Sequence, residues 1–256
     1  MGQSALPPTS PGRDAPAMTE ARLFRNRRDA GARLAELLAR TSVEDAVVVG
    51  IPRGGVPVAA MVALELGAPL DIVVVRKVGL PSQPEIAMGA IGEGDTRVVN
   101  DEIVRAAHIR SADFDRVEAA EREELLRRAT AYRQGRVPPS LAGRTVIAVD
   151  DGLATGATAR VALEVVRNLG ASRIVLAVPV APAATLRELS RYADEVVCVH
   201  RPSEFHAVGC FYDSFEPTTD AEVIGALALH HRPRQRPASL DLRTYTVSAS
   251  RVATTG

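Results

Sequence analysis

Residues 146–158, with the sequence VIAVDDGLATGAT, place two adjacent acids directly before a turn that is rich in glycine and threonine. The apolar run before the acids predicts a buried strand, and the residues after the turn predict a helix. Backbone N–H groups in the first turn of a helix have no intrahelical acceptor, and the helix dipole favours negative charge there. The turn is therefore a candidate site for a phosphate group.

The side chains of this segment suit the two ends of a phosphorylated sugar. Thr155 and Thr158 add hydroxyl donors, and Gly156 removes a side chain that would block a phosphate. Asp150 and Asp151, the acid pair, would repel a phosphate in the same space, so the hydroxyl groups of an attached sugar suit them better. The segment thus predicts a cradle for a ribose 5-phosphate. The alternative is an ordinary turn between strand and helix, with acids that cap the helix.

A second candidate site is the IPRGG loop, residues 51–55, which lies between a predicted strand and a predicted helix. Its backbone N–H groups and the side chain of Arg53 could hold an anion next to Gly54. Open α/β sheets bind ligands at such strand ends. Alone, the loop is compatible with an ordinary turn, but its order and spacing relative to residues 146–158 favour an anion-binding loop.

Lys77 is the only lysine among the 31 basic residues of the chain. It stands beside Arg76 at the start of residues 76–95, a stretch rich in glycine and proline that has no helical period and predicts a long loop. We expect the second half of this stretch to pair with the residues that follow, as a hairpin that turns at residues 93–95. The two cations either bind an anion or are solvated side chains at the end of a strand.

The composition excludes several classes of protein. The 256 residues carry 31 basic and 31 acidic side chains, and zero net charge argues against a protein that binds nucleic acid. Two cysteines, Cys198 and Cys210, make neither a disulfide framework nor a metal site. No apolar run reaches the roughly 18 residues that span a membrane, and the N-terminal stretch lacks an apolar segment of signal-peptide length. We therefore expect a cytoplasmic protein that does not enter membranes.

Alternating strands and helices position these candidate residues. Asn26 can cap a helix through about Arg40, and a long charged helix is expected over residues 111–134. Apolar runs without alternation are typical of strands buried on both faces, and strand-helix-strand spacing implies a parallel sheet. We predict an α/β fold with about five parallel strands flanked by helices. The predicted strands are residues 46–50, 70–75, 144–150, 172–180 and 195–200.

Residues 146–158 resemble the diagnostic thirteen-residue motif of the type I phosphoribosyltransferases, which has four apolar residues, two acids, a short variable stretch and Thr-Gly-x-Thr. The resemblance covers about residues 19–231 and is closer to uncharacterised, predicted members than to the best-known purine and pyrimidine enzymes. In that family the two acids bind the ribose hydroxyls of phosphoribosyl pyrophosphate (PRPP). The turn that binds its 5-phosphate, here called the phosphate turn, corresponds to Ala154, Thr155, Gly156, Ala157 and Thr158.

The resemblance also assigns roles to the two other segments. The IPRGG loop corresponds to the family's pyrophosphate loop, so Arg53 and Gly54, with Arg76 and Lys77, are expected to bind pyrophosphate. A non-proline cis peptide near Arg53 is part of that expectation. The stretch after residue 75 corresponds to a mobile catalytic loop that closes over PRPP. In that loop, Glu85 either contacts the base or helps to close the loop, or it is an ordinary loop carboxylate.

The C-terminal region contains an aromatic cluster. Four of the nine aromatic residues, Phe205, Phe211, Tyr212 and Phe215, fall within eleven residues, ahead of a predicted helix. By resemblance the region 201–231 is the family's hood, in which Phe205 and Tyr212 would stack on the acceptor base. The alternative is a small hydrophobic core that holds the C-terminal helix.

The resemblance implies transfer of a 5-phosphoribosyl group from PRPP to a nitrogenous, purine-like or pyrimidine-like acceptor, with release of pyrophosphate. Lys77, Arg53 and the acid pair would be the catalytic residues, and Mg²⁺ would arrive on PRPP near the acid pair. The alternative is a non-catalytic module that senses PRPP or a nucleotide on the same fold.

The expected organisation is a disordered tail at residues 1–18, a phosphoribosyltransferase domain at 19–231 with the hood at its end, and a tail or linker at 232–256. The expected partners are PRPP and a nucleobase-like small molecule, without nucleic acid or a membrane. The resemblance also allows a homodimer and a fused or partner hydrolase domain.

Overall fold

The computed structural model of the protein describes residues 22–41 and 45–230. The tails predicted at residues 1–18 and 232–256 lie outside these ranges. The first half of the described chain contains α1 (Arg27–Leu38), β1 (Ala46–Gly50), α2 (Gly55–Leu66), β2 (Leu70–Ile72), β3 (Val75–Gly79), β4 (Ala87–Gly92), β5 (Arg97–Val99), α3 (Asp101–Ala106) and α4 (Ser111–Arg133). The second half contains β6 (Thr145–Val149), α5 (Ala157–Asn168), β7 (Arg173–Val180), α6 (Ala183–Leu189), β8 (Glu195–His200), a 3₁₀ helix (Val208–Phe211) and α7 (Asp220–His230).

The central sheet has five parallel strands in the order β2-β1-β6-β7-β8. β1 lies between β2 and β6, with Val48 paired to both Leu70 and Ile147. The predicted five-stranded parallel sheet flanked by helices is therefore confirmed. The predicted strand 70–75 was too long, because β2 ends at Ile72 and Val75 begins a strand of a second sheet.

The apolar runs of the strands are explained by burial on both faces. On β1, Val48 packs in a cluster with residues of α1, α2, α4 and α7, whereas Val47 and Val49 pack with α5 and α6. Because successive side chains of a strand point to opposite faces, every position of β1 must be apolar or small. The helices therefore cover the sheet on both sides.

The stretch 76–95, predicted as a long loop, is half strand. β3, β4 and β5 form a three-stranded antiparallel sheet, and the connection between β3 and β4 is only residues 80–86. The predicted hairpin is confirmed by the β4–β5 pairing. The glycines that resembled loop residues are required by packing: a Cβ at Gly92 would lie 2.0 Å from Val165 Cγ2, and one at Gly89 would lie 2.6 Å from the Val98 carbonyl oxygen.

Helix ends follow local signals in the sequence. Asn26 caps α1, since its Oδ1 accepts from the N–H groups of Arg28 and Asp29. The long charged helix is confirmed as α4, whereas α3 was missed because it buries no residue and so leaves no apolar period. Within the described ranges, no helix is long and apolar enough to cross a bilayer.

Candidate functional site

The IPRGG loop and the acid pair lie side by side at the carboxyl ends of β1 and β6. Gly50 and Val149, the last residues of these strands, are paired in register. The N–H of Ile51 continues the pairing by donating to the Val149 carbonyl at 2.9 Å. Two segments separated by about a hundred residues of sequence are thereby brought into contact at one edge of the sheet.

The two glycines of the IPRGG loop allow this contact. A Cβ at Gly54 would lie 2.0 Å from Oδ2 of Asp151, and one at Gly55 would lie 2.8 Å from Cα of Asp150. Glycine is therefore required here because the acid pair fills the space of a side chain, a reason that the sequence alone did not supply.

The loop backbone around Arg53 and the Arg53 side chain contact different neighbours. The peptide bond between Pro52 and Arg53 is cis, as the family resemblance implied. The guanidinium is half-exposed and lies 3.6 Å from a carboxylate oxygen of Asp220 at the start of α7. The structure thus brings the backbone of the predicted pyrophosphate loop to the acid pair, while the Arg53 side chain is engaged by α7.

Burial dominates the electrostatics of the acid pair. Burial, followed by the charge of Asp151, raises the pKa of Asp150 well above its ordinary value of 3.8. Burial also raises the pKa of Asp151, against the opposing effect of Arg27. The N–H of Asp151 donates to Oδ1 of Asp150 at 2.9 Å, which holds the Asp150 carboxylate against the backbone of Asp151.

Arg27, the first residue of α1, contacts the acid pair and was not singled out by the sequence analysis. Its Nε donates to Oδ2 of Asp151 at 2.7 Å, and its Nη1 donates to the Glu216 carbonyl at 2.7 Å. The guanidinium carbon lies 3.8 Å from the centre of the Phe215 ring. No local pattern could have found this residue, because its partner stands 124 positions later in the chain.

Tyr212 supports the backbone of the acid pair. Its hydroxyl donates to the backbone carbonyl of Asp151 at 2.6 Å, and burial raises the pKa of the phenol. The side chain is only 2% exposed, with ring centres 5.2 Å from Phe24 and 4.8 Å from Phe215. The expectation that Tyr212 stacks on a base does not fit this position, because both neighbours already occupy its surroundings.

The aromatic cluster is a small core, as the alternative interpretation held, but it holds a different element. Phe211 and Tyr212 pack with Phe24 and Ala30, and the N–H of Phe24 donates to the Phe211 carbonyl. The cluster thus anchors the chain that enters α1, rather than α7. Phe205 is half-buried and stacks on Phe211, with ring centres 5.7 Å apart.

The phosphate turn is an exposed bend at the start of α5. Gly156 has a φ of 73°, and a Cβ there would lie within 3 Å of both Leu189 and Thr185. Its glycine is thus explained by backbone conformation and by packing on α6. The hydroxyl of Thr185 donates to the Ala154 carbonyl at 2.7 Å, which ties the turn to α6. The other four residues of the turn are exposed.

A cavity of about 430 Å³ lies between the phosphate turn and the three-stranded sheet. Lys77 of β3 lines it together with Thr155, Gly156, Ala157 and Thr158. Within the described chain, Lys77 Nζ lies 3.2 Å from the Glu85 carbonyl oxygen and 3.5 Å from a carboxylate oxygen of Glu85. The structure therefore brings Lys77 and the phosphate turn to one cavity, with Glu85 as the partner of the lysine.

Arg76 is directed elsewhere. Its Nε donates to a carboxylate oxygen of Glu121 on α4 at 2.8 Å, as expected for the neighbour of Lys77 on a strand whose side chains alternate between faces. The structure therefore does not join Arg76 to the cavity that Lys77 lines.

Comparisons with known proteins agree with this geometry. Residues 22–214 match the family described as Phosphoribosyl transferase domain. Two Mycobacterium tuberculosis proteins, each named "Putative phosphoribosyl transferase" (MT0597 of strain CDC 1551 / Oshkosh and Rv0571c of strain H37Rv), are 50% identical over 220 residues. The match covers 86% of this chain and 50% of each relative, so the chain spans about half their length.

A solved structure extends the similarity to three dimensions. The crystal structure of the protein TT1426 from Thermus thermophilus is 46% identical and superposes with a TM-score of 0.71. The superposition covers 80% of this chain and 97% of that one. The similarity therefore includes both the sequence and the course of the backbone.

Proposed function

The chain belongs to the phosphoribosyl transferase domain family, and we propose that it moves the 5-phosphoribosyl group of PRPP to a nitrogenous, purine-like or pyrimidine-like acceptor with release of pyrophosphate. One observation carries the proposal. The IPRGG loop touches the acid pair at neighbouring strand ends, and the phosphate turn follows the acid pair along the chain. Pyrophosphate, ribose and 5-phosphate would each have a segment of suitable chemistry, in the order in which PRPP presents them.

The chemistry follows from where charge develops. The bond from ribose C1 to a pyrophosphate oxygen breaks as the acceptor nitrogen forms its bond to C1, so the ring becomes more positive and the leaving group more negative. The acid pair would accept the ribose hydroxyls and offset the positive charge. The phosphate turn would anchor the 5-phosphate, and this remote binding would fix C1 in place.

The leaving group needs cations. Lys77 would supply an ammonium by reaching toward the pyrophosphate from the cavity that it shares with the phosphate turn. Arg53 would supply its guanidinium only after its ion pair with Asp220 breaks. This pair is half-exposed, so breaking it costs little free energy. Arg76 is not part of this proposal, because its side chain is engaged by Glu121.

The acid pair fits the Mg²⁺ that PRPP enzymes of this kind are expected to use. Among the residues described, no group of three or more His, Cys, Asp or Glu could hold a metal. Mg²⁺ is commonly bound by one or two carboxylates together with substrate phosphates and water, which the acid pair and PRPP would provide. When bound, the ion would neutralise charge on the pyrophosphate.

We propose that the hood, described here through residue 230, covers the acceptor. Phe205 remains the candidate for stacking, because it is half-buried at the edge of the aromatic core whereas Tyr212 is inside it. The chain's half coverage of its relatives leaves room in a longer protein for a further domain, and the hydrolase suggested by the resemblance stays a proposal.

The test is turnover. The protein is incubated with PRPP, Mg²⁺ and a panel of purine and pyrimidine bases, and pyrophosphate release is followed. We expect release that depends on one class of base and is abolished by Asp150→Asn combined with Asp151→Asn. If no base in the panel led to pyrophosphate release while the protein still bound PRPP tightly, the non-catalytic sensor would be favoured.

A further inference from the structure

We propose that Arg27 is a positioning residue for the acid pair, which holds the Asp151 carboxylate in the orientation that PRPP requires. The inference rests on the proposed function, because that function gives the acid pair its ligand. It adds a residue from outside the motif, contributed by the first turn of α1.

The guanidinium of Arg27 is fixed at three points. It donates to Asp151 Oδ2 and to the Glu216 carbonyl, both at 2.7 Å, and its carbon lies over the Phe215 ring, 3.8 Å from the ring centre. A planar fork that is both hydrogen-bonded and stacked has few other orientations. The Asp151 carboxylate that it holds is fixed as well.

The contact is sheltered from solvent. The side chains of Arg27 and Asp151 are 12% and 14% exposed, and Gly54 closes over the same carboxylate oxygen. Removing the arginine would leave a carboxylate with poor solvation next to Asp150. Asp151 would then rotate toward water or take up a proton, and either change would spoil a set of acceptors matched to two ribose hydroxyls.

Arg27 also connects the acid pair to the hood. Glu216 and Phe215 both belong to the region that precedes α7, and Tyr212 of the same region donates to the Asp151 carbonyl. The acid pair is therefore held from α1 and from the hood together. A lysine at position 27 would keep the charge but could not reproduce the stacked, two-donor arrangement.

The experiment measures the dissociation constant of PRPP with Mg²⁺ by calorimetry, for the wild type, Arg27→Gln, Arg27→Lys, Asp151→Asn and the double variant Arg27→Gln with Asp151→Asn. Arg28→Gln, in the same helical turn but exposed, is the matched control. The binding stoichiometry reports the folded fraction, so a merely structural loss would lower the stoichiometry and leave the affinity of the remaining protein unchanged.

We expect Arg27→Gln to weaken PRPP binding by about tenfold or more, a size that a coupled pair commonly reaches. Arg27→Lys should recover only part of the loss, and Arg28→Gln should bind as the wild type does. In the Asp151→Asn background, Arg27→Gln should add little. The inference would be overturned if Arg27→Gln bound PRPP as tightly as the wild type, or if it lost equal affinity in both backgrounds. In either case, PRPP binding by the wild type would still support the proposed function. If the wild type did not bind PRPP, both the inference and the proposed function would be overturned.

Discussion

Asp150 and Asp151 stand next to each other in sequence but meet different surroundings. Asp151 is paired with Arg27, whereas Asp150 receives the N–H of Asp151 and repulsion from its charge. A carboxylate kept at a binding edge without a cation destabilises the fold that carries it. The ionised Asp150 should therefore lower the stability of the ligand-free protein by a measurable amount.

We predict that Asp150→Asn stabilises the protein at pH 7. The raised pKa means that the folded state holds a proton more readily than the unfolded state, so stability falls as pH rises above about 3.8 and the penalty is complete above the folded-state pKa. The Tm of the variant should rise by roughly 2–4 °C for each kcal/mol by which its free energy of unfolding increases, and this rise should become smaller toward pH 4. Calorimetric scans between pH 4 and pH 8 measure this, with the exposed Asp213→Asn as control. A gain that does not change with pH would contradict the assignment.

Lys77 permits a second prediction at this scale. Lys77→Arg keeps the positive charge but replaces a compact ammonium with a planar fork in a cavity that also borders the phosphate turn. We expect kcat for pyrophosphate release to fall by about tenfold with unchanged Tm, less than the roughly 10²- to 10³-fold loss on removing such a donor outright, because the charge is retained. Arg116→Lys, on the exposed surface of α4, controls for a general effect of exchanging the two cations. Unchanged kcat in Lys77→Arg would remove the lysine from the mechanism.

The residue scale also shows what sequence reasoning could reach. The acid pair, the phosphate turn and Lys77 could be proposed from the sequence as site residues because short segments carry them. Arg27 and the contact between Gly54 and Asp151 depend on elements far apart in sequence, so only the packing of α1 and β1 against β6 reveals them.

At the scale of elements, a buried ion network joins the two sheets. Arg133, the last residue of α4, donates to Asp71 of β2 at 3.0 Å and to Glu93 after β4. Glu93 in turn accepts from the N–H of Val74, between β2 and β3. The network therefore holds the three-stranded sheet, and Lys77 with it, against the edge of the central sheet.

We predict that Arg133→Met lowers the free energy of unfolding by about 3–5 kcal/mol, because it leaves two carboxylates without their buried partner. Urea denaturation followed by circular dichroism measures the loss. Arg127→Met, on the same helix but 65% exposed, removes a surface pair and should cost no more than about 1 kcal/mol. Equal effects from the two variants would mean that the network adds nothing beyond surface charge.

The three-stranded sheet shows why some elements escaped prediction. Glycine and proline in residues 76–95 read as loop, yet Gly89 and Gly92 are there because neighbouring atoms of Val98 and Val165 occupy the space of a Cβ. The sequence shows that glycines have no side chain, but it does not show which neighbouring atoms occupy the space that a Cβ would need. The hairpin turn, by contrast, depends on a local signal and was predicted.

At the scale of the whole molecule, one topological fact organises the site. β1 and β6 are neighbours in a parallel sheet, so the segments that follow them meet at one edge. Strand-helix alternation predicted the parallel sheet, but not which strands are adjacent, because a crossover of any length satisfies the sequence pattern. The order β2-β1-β6-β7-β8 brings the two separate motifs together as one candidate site.

The most direct measurement is a crystal structure of the protein with PRPP and Mg²⁺. The account predicts the 5-phosphate on the N–H groups and hydroxyls of the phosphate turn, the ribose hydroxyls on the acid pair, and the pyrophosphate beside the IPRGG loop and Lys77. PRPP bound with its ribose away from Asp150 and Asp151, or no PRPP at concentrations that saturate related enzymes, would contradict it.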